Sequence, residues 1–307
     1  MSIPHVLRYV MDQPWAIQRE KLQAIMTMLA RHDAGVKLTE EQLRAAVGNP
    51  PPRPAPSVAE AIAVVPLYGT ITQRADMLTD MSGGTALTRW AKGFRQLAAD
   101  PGIKAIVIDV DSPGGTIYGV PEMADEIFAA RNAARPIVAV ANSLAASAAY
   151  WLASQADEIV ATPGGDVGSI GVYTVHEDWS KALEEAGIAV TFISAGEGKT
   201  DGNDAEPLSD EARVKLQKRV DQAYGLFTKQ VARGRGVSTD VVRKEWKAEL
   251  YGAQEALSLG QADRVATLEE TLARLSSGSG RRSSFRGAAA DDGDADRRLR
   301  RLRMTGA

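Results

Sequence analysis

Two short stretches carry residue types suited to hydrolytic chemistry. "VANSLAASAAYWLAS" (residues 140–154) holds three serines among small residues and no charge. "DSPGGTIYG" (residues 111–119) follows a β-branched run and precedes a helical pattern. Glycines at such a turn let main-chain N–H groups face a ligand without side-chain obstruction. The start of a helix also favours developing negative charge. Together these suit an oxyanion hole. A phosphate loop is the competing use, but the Lys-Ser/Thr pair that completes one is missing. Ser147 sits near the change from the strand-like "PIVAVAN" to the helical "SAAYWLASQA", where the helix is expected to begin between Ser143 and Ser147. Its neighbours Ala146 and Ala148 leave a substrate carbonyl room to approach. Alternatively, all three serines are small packing residues, and spacing alone leaves both readings open.

A serine nucleophile needs a base. The chain has three histidines, His5, His32 and His176, and only His176 lies within the α/β pattern. A lysine serves instead when it is neutral. An unperturbed lysine has a pKa of about 10.4, and a drop of about 3 costs roughly 4 kcal/mol, which burial supplies. Lys199, in "SAGEGKTDGN", follows the strand-like "IAVTFISAG", and strand ends are where α/β sites gather. Glu197 and Asp201 must face away from Lys199 if it acts as a base. The alternatives are a surface-loop lysine, and a Ser-His-Asp arrangement in which His176 and its neighbouring acids replace it.

The elements that must position these groups alternate along the chain. "AIAVVPLYGTI", "IKAIVIDVD", "PIVAVAN", "EIVATP", "VGSIGVYTV" and "IAVTFISAG" read as strands. Between and after them, "TALTRWAKGFRQLAAD", "YGVPEMADEIFAARNA", "SAAYWLASQA", "SKALEEAG" and a long amphipathic stretch from Asp210 to Gly234 read as helices. This alternation indicates a largely parallel α/β architecture. Residues 1–48 read as a helical extension, with Trp15, Leu22, Ile25, Met26 and Leu29 at helical spacing and Thr39 as the N-cap of a short second helix. "NPPPRPAPS" (residues 49–57) is an extended proline-rich linker. The main domain spans residues 58–275. Residues 276–307 form a Gly/Ser/Ala-rich charged tail that is expected to be disordered.

Bulk properties exclude several classes. The 307-residue chain is 44% hydrophobic and 24% charged with net charge −3, which gives no global signal for nucleic acid. It has no cysteine, which removes disulfides, thiolate metal sites and a cysteine nucleophile. No apolar run approaches the roughly 20 residues of a spanning helix, and the first residues lack the apolar core of a signal peptide.

Taken in order, "VVPLYGTI", "IVIDVDSPGG", "ANSLAASAAYWLASQADEIVATPGGDVGSIGV", "VTFISAGEGKTDGN" and "YGAQEALSLGQADRV" resemble the S49 peptidases, the signal peptide peptidase A-like family with its phage capsid-protease branch. The resemblance covers roughly residues 59–268. It implies an α/β ClpP/crotonase-like fold with repeated ββα units, plus the small N-terminal helical extension. It also implies a Ser-Lys dyad with Ser147 as nucleophile and Lys199 as general base. Ser169 in "VGSIGV" matches a lysine-orienting serine, and backbone amides of Gly114, Gly115 and Ala148 match the oxyanion hole. Gly198 stands before the lysine where the family commonly carries a bulkier residue. The absence of an N-terminal anchor, the continuation "GKTDGNDAEPLSDEAR" and the opening "IPHVLRYVMDQPWAI" resemble the phage branch.

The implied function is ATP-independent endopeptidase processing of capsid, scaffold or portal proteins during head maturation. No cofactor, metal, nucleic acid or membrane anchor is implied. A homo-oligomer is expected, in the bacterial cytoplasm or inside the procapsid. The competing functions are signal-peptide-peptidase-like degradation of peptides, acyl-CoA chemistry of the crotonase kind, and capsid assembly without catalysis.

Overall fold

The computed structural model describes residues 14–33, 56–59, 61–74 and 83–277. The expected helix after Thr39, most of the linker and the tail beyond Ser277 lie outside the described residues. The chain starts with β1 (Trp15–Ile17) and α1 (Arg19–Asp33), followed by β2 (Ser57–Ala59), β3 (Ile62–Tyr68), β4 (Ile71–Thr72), β5 (Thr85–Ala86) and α2 (Leu87–Ala99). Next come β6 (Ala105–Ser112), β7 (Gly114–Thr116), α3 (Val120–Ala129), β8 (Ile137–Ala146), α4 (Ala148–Ala153), β9 (Glu158–Ala161) and β10 (Asp166–Gly168). The remainder is α5 (Ser180–Glu185), α6 (Asp210–Arg235), a π-helical turn (Val241–Trp246), β11 (Leu250–Gly252), α7 (Ala253–Leu259), β12 (Arg264–Val265) and α8 (Leu268–Ser276).

The α/β expectation holds. Strands β3, β6 and β8 run parallel at the centre of the main sheet, ordered β11-β10-β8-β6-β3-β2. Residues 138–141 of β8 pair with β9, and residues 144–146 pair with β10. After β3 and after β6 the chain leaves this sheet for a short strand and then returns as a helix. These short strands, β4 and β7, join β1 and β5 in a second sheet ordered β1-β7-β4-β5. The ββα unit is thus visible as β6-β7-α3, and as β3-β4-α2 with the short strand β5 inserted before the helix.

The central strands read as unbroken apolar runs because both faces are covered. Ile106, Ile108 and Val110 of β6 face the helices, with Trp90 and Phe94 of α2, Met123 and Ile127 of α3, and all six residues of α4. Ala105 and Val107 face the other way, with Val138, Val140 and Val160, beneath Leu268, Leu272 and Leu275 of α8. At the end of α6, the C′ position is Gly236 with φ 65°, and Ser209 caps its start by accepting from the Ala212 N–H.

Four expectations need correction, one being the strand "VGSIGVYTV": only Val167 and Gly168 of it lie in β10, and residues 169–175 hold just the Tyr173 bridge to Trp15. Trp15 belongs to a strand rather than to the first helix, which starts only at Arg19. Pairing with β7 on one edge outweighs the helical spacing of Trp15 with Leu22 and Ile25. The strand "PIVAVAN" does not end near Asn142, and the helix starts later than expected. β8 continues to Ala146 across an irregularity, where Val110 faces Ala141 but Ser112 faces Ala145. Ser143 takes up the extra length there with φ 114°. Last, residues 188–195 form no strand. Between residues 189 and 195 no main-chain hydrogen bond is made to another described residue, so the alternating side chains have the period of a strand but no edge to join.

Candidate active site

The three serines of residues 140–154 have three different fates. Ser143 is exposed in the β8 irregularity. Ser154 is fully buried and donates to the Trp151 carbonyl at 2.7 Å, a packing role. Ser147 stands at the junction of β8 and α4 with φ 56° and ψ −118°, outside the regions a non-glycine residue ordinarily adopts. Its carbonyl accepts from the Trp151 N–H at 2.9 Å, but its side chain makes no capping hydrogen bond to its own helix. Instead its N–H donates to the Gly168 carbonyl at 2.8 Å, and its hydroxyl donates a long 3.4 Å bond to the Gly171 carbonyl. A serine held in a strained strand-to-helix turn has its Oγ fixed by the backbone rather than by rotamer choice.

Strain persists only where the surroundings over-determine it, and here they do. Every residue of α4 is buried. The Trp151 ring stacks on Phe227 of α6, with centroids 4.2 Å apart, and its indole N–H donates to Gln230 Oε1 at 2.6 Å. Beyond the helix C-terminus, Arg131 donates to the carbonyls of Gln155 at 2.7 Å, Ala156 at 2.6 Å and Gly234 at 2.9 Å. These bonds satisfy carbonyls that would otherwise be left unpaired. Burial pulls the Arg131 pKa down, with Asp157 opposing that pull.

The Gly-Gly turn lies against the serine. A Cβ at Gly114 would sit 2.9 Å from Ser147 Cβ and would collide with the Ala16 carbonyl, and one at Gly115 would collide with the Ile71 carbonyl. Gly114, with φ 96°, needs the freedom of glycine for its conformation as well. In this conformation its N–H donates to Ser112 Oγ at 3.2 Å, and Ser112 donates in turn to the Gly69 carbonyl at 2.6 Å. Gly115 lies in β7 between β1 and β4. Ala148 opens α4, where first-turn N–H groups have no acceptor within the helix.

Ser169 has φ 55° and lies between Gly168 and Gly171, the two residues whose carbonyls hold Ser147. Its own N–H donates to the Glu249 carbonyl at 2.7 Å. The structure therefore brings Ser147, Gly114, Gly115, Ala148 and Ser169 together. It leaves Lys199 apart, in an exposed turn where its N–H donates to the Gly196 carbonyl at 3.4 Å. The Asp201 carboxylate is engaged by Lys215. His176 is also apart. Its Nε2 is 3.0 Å from the Asn203 carbonyl, and the ring lines a cavity of about 660 Å³ with Tyr173, Leu208, Arg213 and Leu216. Among the described residues no cluster of histidine and acids is placed to hold a metal ion, and no helix is long and apolar enough to cross a membrane.

Sequence reasoning missed the parts of this site made of main chain. The carbonyls of Gly168, Gly171 and Ala16 and the hydroxyl of Ser112 all approach the serine or its glycine turn. The glycine-spaced "GDVGSIG" gives a compositional hint for the first two, but the three-residue strand at Trp15 is too short to show a period.

Residues 129–281 match the model of peptidase family S49. Capsid assembly protease C of Escherichia phage lambda is 32% identical over 286 residues, 88% of this chain and 65% of that protein. Head-tail preconnector protein GP5 of Enterobacteria phage P21 is 34% identical over 215 residues, 70% of this chain and 42% of that protein. Protease 4 of Salmonella typhi is 28% identical over 213 residues, 69% and 34% of the two chains. The chain thus spans just under two thirds of the lambda protein and less than half of the other two. Among solved structures, a mutant of ClpP1 from Listeria monocytogenes is similar at a TM-score of 0.43 with 16% identity, covering 68% of this chain and 94% of that one. On the strength of its sequence, the chain carries a peptidase family S49 domain.

Proposed function

We propose that the chain is an ATP-independent serine endopeptidase that processes phage head proteins, with Ser147 as nucleophile and Lys199 as general base. The observation that carries this reading is the strained Ser147 at the head of a fully buried helix, with a glycine turn pressed against its Cβ. Neutral Lys199 takes the Ser147 hydroxyl proton as Oγ attacks a peptide carbonyl. Main-chain N–H groups of the glycine turn and of Ala148 hold the oxyanion, the Gly114 N–H exchanging its bond to Ser112 Oγ for one to the oxyanion. The lysine then gives its proton to the leaving amine, and water hydrolyses the acyl-enzyme. Ser169 orients the amine from its place between the two carbonyls that hold Ser147. The phage substrates rest on the capsid protease and preconnector relatives.

In a single chain the lysine lies apart from the serine, on a loop reached through an apolar segment. Ile188, Val190, Phe192 and Ile193 are all exposed, Ile193 at 97%. Such a segment, with unpaired main chain, calls for a second copy to cover it. In this reading association seats the segment and delivers Lys199 to a serine.

The test is cleavage of an unfolded protein, and of capsid and scaffold proteins, by the wild type beside Ser147→Ala, Lys199→Ala and His176→Ala. The serine and lysine variants are expected to lose at least about 10³-fold in rate, while the histidine variant still cuts. Mixing the two dead variants is expected to restore part of the activity if the lysine serves a neighbour. A Lys199→Ala protein that cuts as well as wild type overturns the dyad. A dead His176→Ala with a live Lys199→Ala puts a histidine base in its place.

A further inference from the structure

Strand β1 is held on both of its edges. On one, Trp15, Ala16 and Ile17 face Thr116, Gly115 and Gly114 of β7 in antiparallel register. On the other, the Trp15 N–H donates to the Tyr173 carbonyl at 2.8 Å and the Tyr173 N–H donates back to the Trp15 carbonyl at 3.0 Å. Back on the β7 edge, the Gln18 N–H extends the pairing by donating to the Pro113 carbonyl at 3.0 Å. β1 therefore fills a slot whose walls are the glycine turn and the segment just after Gly171. These walls also meet at Ser147, since Gly171 accepts its hydroxyl and Gly114 abuts both its Cβ and the Ala16 carbonyl. With β1 in place Ser147 is 1% exposed. No polypeptide reaches a nucleophile covered to that degree.

A slot with a free main-chain edge on each wall is what an extended polypeptide uses to bind, by adding itself as a strand. We propose that Trp15–Ile17 is an internal occupant of the slot in which the substrate strand lies, so that the N-terminal segment must leave before Ser147 can attack. The inference rests on the reading of Ser147 as the nucleophile. The packing suits an occupant that can leave. Trp15, Ile17, Leu22 and Ile25 form their own cluster with Met26, Tyr173 and Val175, and only Ala16 joins the main core. Removing β1 and α1 dissolves that satellite cluster and leaves the layers beneath α2, α3 and α4 intact.

The chain has no cysteine, so Ser147→Cys introduces its sole thiol, and alkylation by iodoacetamide reads the accessibility of residue 147 without any catalysis. Three proteins are compared: Ser147→Cys alone, with Trp15→Ala, and with Ile62→Ala as a core control on the far face of the main sheet. Trp15→Ala is expected to speed alkylation at least about tenfold, because truncating a buried Trp removes most of the packing that holds the strap. Ile62→Ala is expected to leave the rate unchanged. Ile17→Ala replaces Trp15→Ala if that variant does not fold. Equal rates in all three proteins, or equal acceleration by both truncations, overturn the strap. The same Trp15→Ala change beside an intact serine is expected to raise cleavage of an unfolded protein. Faster alkylation with no cleavage by any form leaves the strap standing and removes the peptidase reading. Faster cleavage without faster alkylation overturns the strap.

Discussion

The serine side and the lysine side of the proposed dyad are built in opposite ways. Ser147 leads a helix of six buried residues, stacked on α6 and tied at its far end by Arg131. Lys199 follows an apolar segment whose side chains are about half exposed or more and whose main chain between residues 189 and 195 pairs with no described residue. The first side is complete within one chain, and the second reads as half of an interface. A nucleophile needs a fixed direction of attack, which the strained turn supplies at a cost spread over the core. The partner of that nucleophile can arrive later, as a condition on activity.

This contrast predicts where substitutions hurt. The largest loss is expected at Gly115, where an added Cβ meets the Ile71 main chain. Gly115→Ala should cost more than about 3 kcal/mol in urea unfolding, because backbone rather than a movable side chain blocks it. Trp151→Ala is expected to cost about 3–5 kcal/mol through the cavity it leaves against Phe227. Phe192→Ala, of comparable chemistry on the lysine side, should stay within about 0.5 kcal/mol in the isolated chain. A large loss at Phe192 would break the comparison. Ile193→Asp sharpens it: the monomer is expected to keep its stability while self-association, followed by sedimentation, is lost. Association that survives this change would mean that the segment lies outside the contact.

The smallest expected effect concerns pH. Burial raises the Asp109 carboxyl above its ordinary value, and hydrogen bonds from Tyr68 and Asn142 offset part of that. A carboxyl with a raised folded pKa holds its proton longer in the native state than in the unfolded one. It therefore withdraws stability as pH climbs from the ordinary carboxylate range through the raised value. Asp109→Asn should flatten that part of the pH–stability curve. On the lysine side, the exposed Asp201–Lys215 pair is screened by solvent, and Asp201→Asn is expected to shift stability by less than about 1 kcal/mol. Unfolding at pH 5 and pH 8 measures both. A steeper fall in Asp109→Asn than in the wild type would reverse the sign argued here.

Much of the frame was legible in residue order. The runs "IAVVPLY" and "AIVIDVDS" are strands whose apolar residues are packed on both faces, and a four-to-eight-residue apolar run signals this directly. The long helix from Asp210 was legible as an amphipathic stretch, while its serine cap and terminal glycine were seen only in the structure. The glycine turn and Ser147 could be picked out by residue type and position. "IAVTFIS" shows the limit of this reading, since its alternation is that of a strand while it pairs with no strand among the described residues. Pattern states which face is apolar, but it does not state which chain covers that face.

By itself, then, the sequence determined the alternating α/β layout, the small-residue path into α4 and the identity of the family. Those features depend on local period, turn chemistry and ordered motifs. Only the tertiary structure decided that Ser147 is strained against the glycine turn while Ser143 faces solvent and Ser154 packs in the core. It alone decided that Trp15–Ile17 lies between the glycine turn and Tyr173 and that Lys199 sits in an exposed turn. Each of these is a contact between segments distant in sequence, with one partner often a bare carbonyl or N–H. Every residue carries such groups, so residue identity does not say where they will meet.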